Sequence, residues 1–449
     1  MTDKKQVFVV GLDQFNLDKL NKLPEAAHCD FHAALEISEI RGVKNISIPE
    51  LLKKAEERIK KNGRIDAIVS YYDFPGTVLV PIIAEKYNLP GPSLESVLKC
   101  EHKYWSRMEQ QKAIPKSIPQ FKAFDPFDDN AFDIIDFITP YWIKPIKSYR
   151  SFLAFKINGP VQFSGYMEEV RAHVNFMSEP FNHIFKEYGM PQEYSQMHET
   201  MIAETPINGH QCTIEGYAYD DEVVVYGIVD SVREEDRSSF SRYEYPSSLP
   251  QEIQFRMADI TRRAISQIGL WNSPFNIEFF YNSAANQVYL LEINPRISQA
   301  HTDIFEKIHG ISHHHIMLSL ALGKRPKALD YDGDFRIAAH FMLRTFENGK
   351  VRETPSEKEI TALKEKYEDL AIKINVKPEM NLDEMYGQDS YSYELANIYL
   401  GGKNKEELLE KYDEVVRGIT FKIDYNQQDM PLLIKKPDST PAFLFYQLE

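Results

Sequence analysis

The residues best suited by type and spacing to do chemistry lie within 276–296, NIEFFYNSAANQVYLLEINPR. Asn276, Glu278 and Phe280 alternate with Ile277 and Phe279, and Leu290, Glu292 and Asn294 alternate with Leu291 and Ile293. That is the period of a strand. Side chains two apart on a strand share a face, roughly 6.6–6.8 Å from each other, so Glu292 and Asn294 look the same way. The intervening NSAAN is long enough for a hairpin turn, and one register sets Glu278 directly across from Glu292. Two carboxylates with Cβ atoms about 5 Å apart repel each other. A divalent cation between them turns that repulsion into ligation, and hard oxygen ligands suit magnesium or manganese. The plainer reading is a hairpin with an exposed polar face. Asn294-Pro295-Arg296 favours the metal, because it adds an amide ligand and a fixed cation.

The elements that must position this hairpin are spread along a chain of 449 residues, too long for one ordinary core, so two to four domains are expected. Hydrophobic content of 43% with 12% aromatics can fill them. Near the start, residues 7–12 and 66–72 read as apolar strands, and residues 49–61 and 76–87 as helices. Strands alternating with helices imply a parallel sheet covered by helices. Gly11 stands alone after its strand, and without a G-x-G-x-x-G no dinucleotide site is expected there. Residues 100–112 read as a helix, and residues 141–145 (YWIKP) as a strand. Lys144 in that strand is costly unless paired with an anion, for which a triphosphate is the natural partner. Residues 214–219 and 223–229 pair across an Asp220-Asp221 turn, and residues 251–268 form an amphipathic helix closed by Gly269. Residues 231–250 read as a long loop rich in charge and hydroxyls, a type that is usually functional or mobile. Consecutive helical residues point about 100° apart, so His313, His314 and His315 cannot chelate one ion and are expected as helix surface and packing. Beyond residue 331 the chain alternates strands and helices, including a capping box that starts a helix at Asn404.

Composition excludes several classes. A net charge of −15 argues against nucleic acid or an anionic membrane as the main partner. Cys29, Cys100 and Cys212 lack metal-type spacing, which suggests a reducing compartment and no disulfide framework. With Asp3 and only a short apolar run, the opening MTDKKQVFVVGLD is not expected to act as a signal peptide. No run approaches the roughly 20 apolar residues of a membrane helix. A cytoplasmic location is expected.

With Lys103 and Lys144 upstream, the pattern IEF…LEINPR resembles the ATP-grasp superfamily, more narrowly its biotin-carboxylase-like and L-amino-acid-ligase-like branch, over about residues 99–324. The resemblance implies a multidomain α/β and α+β fold. Its parts would be an N-terminal parallel α/β (pre-ATP-grasp) domain over residues 1–98, an ATP-grasp domain over 99–330 with a lid subdomain at about 140–205, and a C-terminal α+β segment over 331–449. Lys103 and Lys144 would reach nucleotide phosphates. Where the family has a glycine-rich loop over the phosphates, this chain has Lys147-Ser148-Tyr149-Arg150-Ser151. Ser148 and Ser151 would then donate hydroxyls and Arg150 a charge. Residues 201–206 match the hinge strand that reads adenine, marked by Glu204. Gln211 stands where the family carries an acid for the ribose hydroxyls. The N-terminal domain of the family often helps bind the second substrate, and Tyr71, Tyr72 and Asp73 are the candidates here, with a capped strand end as the other reading of Asp73. Arg233, Arg242 and Tyr243 either face a substrate carboxylate or acyl phosphate or belong to a solvated loop. His301 follows the motif beside the family's acceptor site.

The chemistry implied is phosphorylation of a carboxylate by ATP, followed by attack of an amine on the acyl phosphate to give an amide, ADP and phosphate. Glu278, Glu292 and Asn294 would hold magnesium (or manganese) on the phosphates, and Arg296 would grip the carboxylate or the oxyanion. Other readings are a bicarbonate-activating, biotin-carboxylase-like enzyme and a non-catalytic nucleotide-binding protein. Expected partners are small carboxylates and amines, with a homodimer left open and neither nucleic acid nor membrane involved.

Overall fold

The structure is a computed structural model, and it describes residues 4–42, 46–148, 152–197, 199–234, 239–385 and 392–425. The N-terminal sheet holds three parallel strands, β1 (Lys5–Leu12), β2 (Cys29–Glu36) and β3 (Ala67–Val69), in the order β2-β1-β3. Strand β2 is an addition to the sequence reading, where Asp30 and His32 break the apolar pattern. The Ile48–Asn62 helix buries Ile48, Leu51, Ala55 and Ile59 at three- and four-residue spacing. It ends at Gly63, whose φ of 81° is the left-handed conformation that glycine supplies without strain.

The helix expected over 100–112 is two helices, Leu94–Glu101 and Lys103–Ala113. His102 separates them in an extended conformation, and its Nδ1 accepts from the Trp105 amide at 3.1 Å. This cap makes Lys103 the first residue of a new helix. Strands β4 (Phe121–Phe124), β5 (Tyr141–Pro145), β6 (Phe155–Ile157) and β7 (Met201–Glu204) form an antiparallel sheet ordered β4-β7-β5-β6. Phe163, Met167 and Val170 of the Pro160–His173 helix close its core against Ile143, Phe155 and Ile157.

The largest sheet has eight strands. From the middle of the chain come β8 (His210–Tyr219), β9 (Glu222–Arg233), β10 (Phe240–Tyr245), β11 (Ser273–Asn282) and β12 (Gln287–Asn294). The remaining strands are β13 (Ile337–Thr345), β14 (Gly349–Glu353), β15 (Ala371–Ile374), β16 (Tyr393–Gly402) and β17 (Lys422–Tyr425). The order is β12-β11-β8-β9-β10-β13-β16-β15, and β14 pairs with β17 separately. The sheet therefore runs across residue 330. Asp220 and Asp221, at φ 51° and 61°, make the tight β8–β9 turn. The stretch 231–250 is not one long loop: β9 extends to Arg233, and β10 fills the middle of the sheet. The Gln251–Ile268 helix covers one face and stops at Gly269, φ 76°.

Helix contacts close the N-terminal sheet onto the large one. Lys19 Nζ lies 2.7 Å from Asp303, with both side chains buried. His313, His314 and His315, expected as helix surface and packing, are all buried, so packing is the part that holds. They do point apart. His313 meets Thr302 at 3.0 Å, His314 meets Asn16 at 2.9 Å and His315 meets Glu25 at 2.9 Å. The run looks polar in sequence because each ring carries a hydrogen bond across a seam that the sequence alone does not show. Cys29, Cys100 and Cys212 are free and buried. Among the described residues, no helix is long and apolar enough to cross a membrane.

Candidate active site

Strands β11 and β12 pair with Glu278 opposite Glu292 and Asn276 opposite Asn294. Strand β8 extends both rows, setting Thr213 beside Glu278 and Glu215 beside Asn276. Directly paired residues share a face, so one face carries the row Thr213–Glu278–Glu292 and, two residues along, the row Glu215–Asn276–Asn294. Past Glu278 the register slips, because Phe279 pairs with Leu290 and leaves Leu291 as a bulge beside Glu292.

The two facing carboxylates are unequal. Burial, and then the charge of Glu292, push Glu278 up to about 7. Burial acts on Glu292 in the same direction, but Lys103 and Lys144 outweigh it and hold that carboxyl below its ordinary range. Lys103 Nζ lies 3.3 Å from Glu292 and donates to the Ser148 carbonyl at 2.7 Å. Gln211 Nε2 donates to Glu278 at 3.1 Å, and Gln211 in turn accepts from Arg233. Asn294 Nδ2 donates to Asn276 at 3.0 Å, so its side-chain oxygen is the atom a metal would take. Two carboxylates that repel and a committed amide fit a hard divalent cation. Among the described residues no cluster of three His, Cys, Asp or Glu side chains is placed to hold a metal by itself.

A second set of charges surrounds this face. Glu204, at the end of β7, is buried between Lys144 Nζ and Arg107 Nε, each at 2.6 Å. Burial raises Glu204, but Arg107 and Lys144 bring it down to about 2. Burial also pulls Lys144 below its ordinary value in spite of Glu204. Arg296 Nη2 donates to Asp73 at 2.9 Å, tying the motif to the end of the N-terminal sheet. Arg296 Nε is buried with no acceptor among the described residues. Lys147 turns away from the hairpin: it pairs with Glu101 and lies 4.7 Å from the Phe74 ring centre and 5.3 Å from that of Phe181. Arg150 and Ser151 lie outside the described residues.

Other candidates divide. Arg233 and Tyr243, expected in a loop, stand on β9 and β10. Arg233 lies 4.6 Å from the Phe240 ring, and Tyr243 meets His301 edge-on at 4.9 Å. Arg242 Nε is spent on Glu244 at 2.8 Å. Tyr71 does not face the cleft: it is 1% exposed, and its hydroxyl donates to the Gly11 carbonyl at 2.7 Å and accepts from the Asp13 amide at 3.1 Å. Asp73, by contrast, reaches the motif through Arg296. His301 Nδ1 lies 2.8 Å from Glu215, with both groups buried. Burial raises Glu215 to about 7, while burial and the Arg296 charge push His301 down to about 3.

Sequence reasoning missed Arg107 and Glu215. Arg107 follows Lys103 by four residues on one helix, which is the spacing of a shared face. Glu215 interrupts an otherwise apolar strand, IEGYA, the same signal that Lys144 gave.

Residues 137–303 match the family model of the ATP-grasp domain. The chain therefore carries an ATP-grasp domain over that segment. No curated protein matches it significantly. Among solved structures, an L-amino acid ligase from Bacillus licheniformis is similar at 14% identity and a TM-score of 0.70, covering 95% of this chain and 100% of its own. A phosphoribosylglycinamide synthetase from Anaerococcus prevotii is similar at 15% identity and a TM-score of 0.62, covering 94% and 100%. A biotin carboxylase from Campylobacter jejuni is similar at 14% identity and a TM-score of 0.61, covering 94% and 93%. At these identities the likeness is one of fold. It extends the ATP-grasp architecture on both sides of the matched segment, through the N-terminal sheet and the strands beyond residue 330.

Proposed function

We propose that this ATP-grasp protein is an ATP-dependent carboxylate–amine ligase, forming an amide through an acyl phosphate and releasing ADP and phosphate. The observation that carries the reading is the buried Arg296 Nε, a charged donor without an acceptor at the end of the strand that presents Glu292 and Asn294. A buried donor left unpaired costs about 1–3 kcal/mol, and a bound carboxylate or acyl-phosphate oxygen would remove that cost. That an L-amino acid ligase and a phosphoribosylglycinamide synthetase share the fold supports the same class.

In this reading Glu278, Glu292 and the Asn294 oxygen hold magnesium, which supplies charge neutralisation at the phosphates when bound. Lys103 and Lys144 would shift from Glu292 and Glu204 onto phosphate oxygens, with Arg107 remaining on Glu204 and Glu292 free to serve as a metal ligand. Gln211, fixed by Arg233, faces Glu278 with its donor and keeps its second amide proton for a ribose hydroxyl. Ser148 places its carbonyl on Lys103 and holds that lysine near the phosphates. Arg296 orients the carboxylate for attack on the γ-phosphoryl group, and Asp73 fixes the guanidinium from behind. The amine, as its free base, then attacks the acyl carbon, the carbon–oxygen bond to phosphate breaks, and phosphate leaves with that electron pair and takes up the proton lost from nitrogen. Tyr243 and His301 line the side from which the amine would come.

The test is a pairwise screen of small acids and amines for ADP release, with mass detection of the condensed product. ADP formation rising severalfold with one amine and indifferent to bicarbonate is expected. Strict dependence on bicarbonate with no amide product would move the assignment to a carboxylase, and ATP binding without any turnover would move it to a nucleotide-binding protein.

A further inference from the structure

Arg107 is a buried cation that touches no substrate, metal or phosphate in the proposed chemistry. Its side chain is 3% exposed. Every edge of its guanidinium is engaged: Nε with Glu204 at 2.6 Å, Nη1 with Gln110 and with the Leu290 carbonyl at 3.3 Å, and Nη2 with the Leu291 carbonyl at 2.7 Å. A buried charge is tolerated only when its donors are satisfied in this way. The partners lie on three separate elements. Glu204 ends β7, Gln110 shares the helix that begins at Lys103, and Leu290 and Leu291 are the bulge of β12 next to Glu292.

We infer that Arg107 is a positioning residue with two tasks, holding the β12 bulge that aims Glu292 at Glu278, and keeping Glu204 compensated when Lys144 leaves it for a phosphate. The first task follows from the bulge itself. An extra residue loosens the ladder locally, and the two carbonyls flanking that loosened point both accept from one rigid fork. The second follows from the count of charges. Glu204 has two cations within 2.6 Å, so one can move without leaving the carboxylate bare. A lysine at 107 keeps the charge, but a single ammonium on a flexible stem cannot span Glu204 and both bulge carbonyls.

The inference rests on the reading of Glu278, Glu292 and Asn294 as metal ligands, and the experiment separates the two. Manganese affinity is measured by electron paramagnetic resonance in the presence of ADP, and nucleotide affinity by calorimetry in EDTA, for wild type, Arg107→Lys, Arg107→Met and Glu292→Gln. Loss of a group that orients a metal ligand costs about 10–100-fold in metal affinity. Arg107→Lys should therefore bind manganese about tenfold more weakly while its metal-free nucleotide affinity stays within about threefold. Arg107→Met should lose both, because Lys144 is then the sole cation on Glu204. A general loosening of the fold would lower the two affinities of Arg107→Lys together and would refute the assignment. Wild-type manganese affinity in Arg107→Lys, with Glu292→Gln impaired, overturns the inference alone; wild-type affinity in Glu292→Gln overturns the metal site itself. Should Arg107→Lys not fold, Gln110→Leu removes the acceptor that orients the guanidinium. A severalfold loss of manganese affinity is then expected, and no change overturns the proposal.

Discussion

Two acids, Glu278 half-buried and Glu215 fully buried, sit in adjoining rows of one sheet face and are built for opposite ends. Glu278 faces Glu292 across β11 and β12, with Lys103 and Lys144 beside the pair. Glu215, on the adjoining row, is enclosed by His301 at 2.8 Å and His313 at 3.8 Å, by the Tyr226 hydroxyl at 3.5 Å and by the Ser298 amide at 3.5 Å. Burial leads the rise of both to about 7. The surroundings make the difference. The first acid has a second carboxylate opposite and lysines within reach, so on the proposed reading a divalent cation and phosphates would complete it. The second has imidazoles that burial keeps neutral, with His301 near 3 and His313 near 4, so it is complete without a ligand. On the proposed reading, then, a raised carboxyl would mark a ligand site where a second acid faces it.

The strongest way to break this contrast is Glu292→Gln. A neutral amide cannot replace the charge that Lys103 now compensates, so magnesium-dependent ADP release should fall about 100-fold or more, with the fold intact by circular dichroism. Wild-type turnover would remove the metal role from the row. A somewhat smaller effect is expected at Arg296, the residue between the two acids. Arg296→Lys keeps a charge but loses the fork and the buried Nε donor, and kcat should drop about 30–100-fold with little change in nucleotide affinity. An unchanged kcat would mean that the unpaired donor does not meet the reacting carboxylate.

The same contrast explains what was legible in the sequence. The hairpin could be read to its register because one period of two, a short turn and two acids lie within a single stretch. The terminal caps at Gly63, Gly269 and Asn404 were equally local. What stayed hidden depends on partners far along the chain. Strand β10 reads SRYEY, charged and hydroxylic like a loop, yet Glu244 is buried and paired with Lys405 at 2.9 Å, more than 150 residues away. Arg107 shows a helix position in sequence, while its work lies at Glu204 and the β12 bulge. Tyr71 looked like a strand-end ligand, but its hydroxyl is closed by Gly11 of the neighbouring strand and by Asp13 just beyond that strand's end. Glu215 was visible only as an acid in an apolar strand, without the histidines that define it.

The finest test follows the protons. For a carboxyl raised on folding, the folded state keeps its proton between the unfolded value, about 4.3, and the folded one near 7, while the unfolded chain has released its own. The unfolded state binds fewer protons in that window, so stability falls as pH rises through it and levels off above it. Glu278 and Glu215 both contribute this loss in metal-free protein. Magnesium should relieve the Glu278 share alone, because an ion favours the ionised pair that burial disfavours, and its stabilising effect should grow from about pH 5 to 7. Melting temperatures across that range, with EDTA and with saturating magnesium, give two slopes. Glu278→Gln should flatten the EDTA slope and abolish the magnesium response. Glu215→Gln should flatten the EDTA slope by a similar amount and leave the magnesium response in place, with ADP release reduced less than about tenfold, since Glu215 acts through His301 and touches no phosphate. If Glu215→Gln also abolishes the magnesium response, the two rows are one site, and the distinction between a ligand-seeking acid and a self-contained one fails.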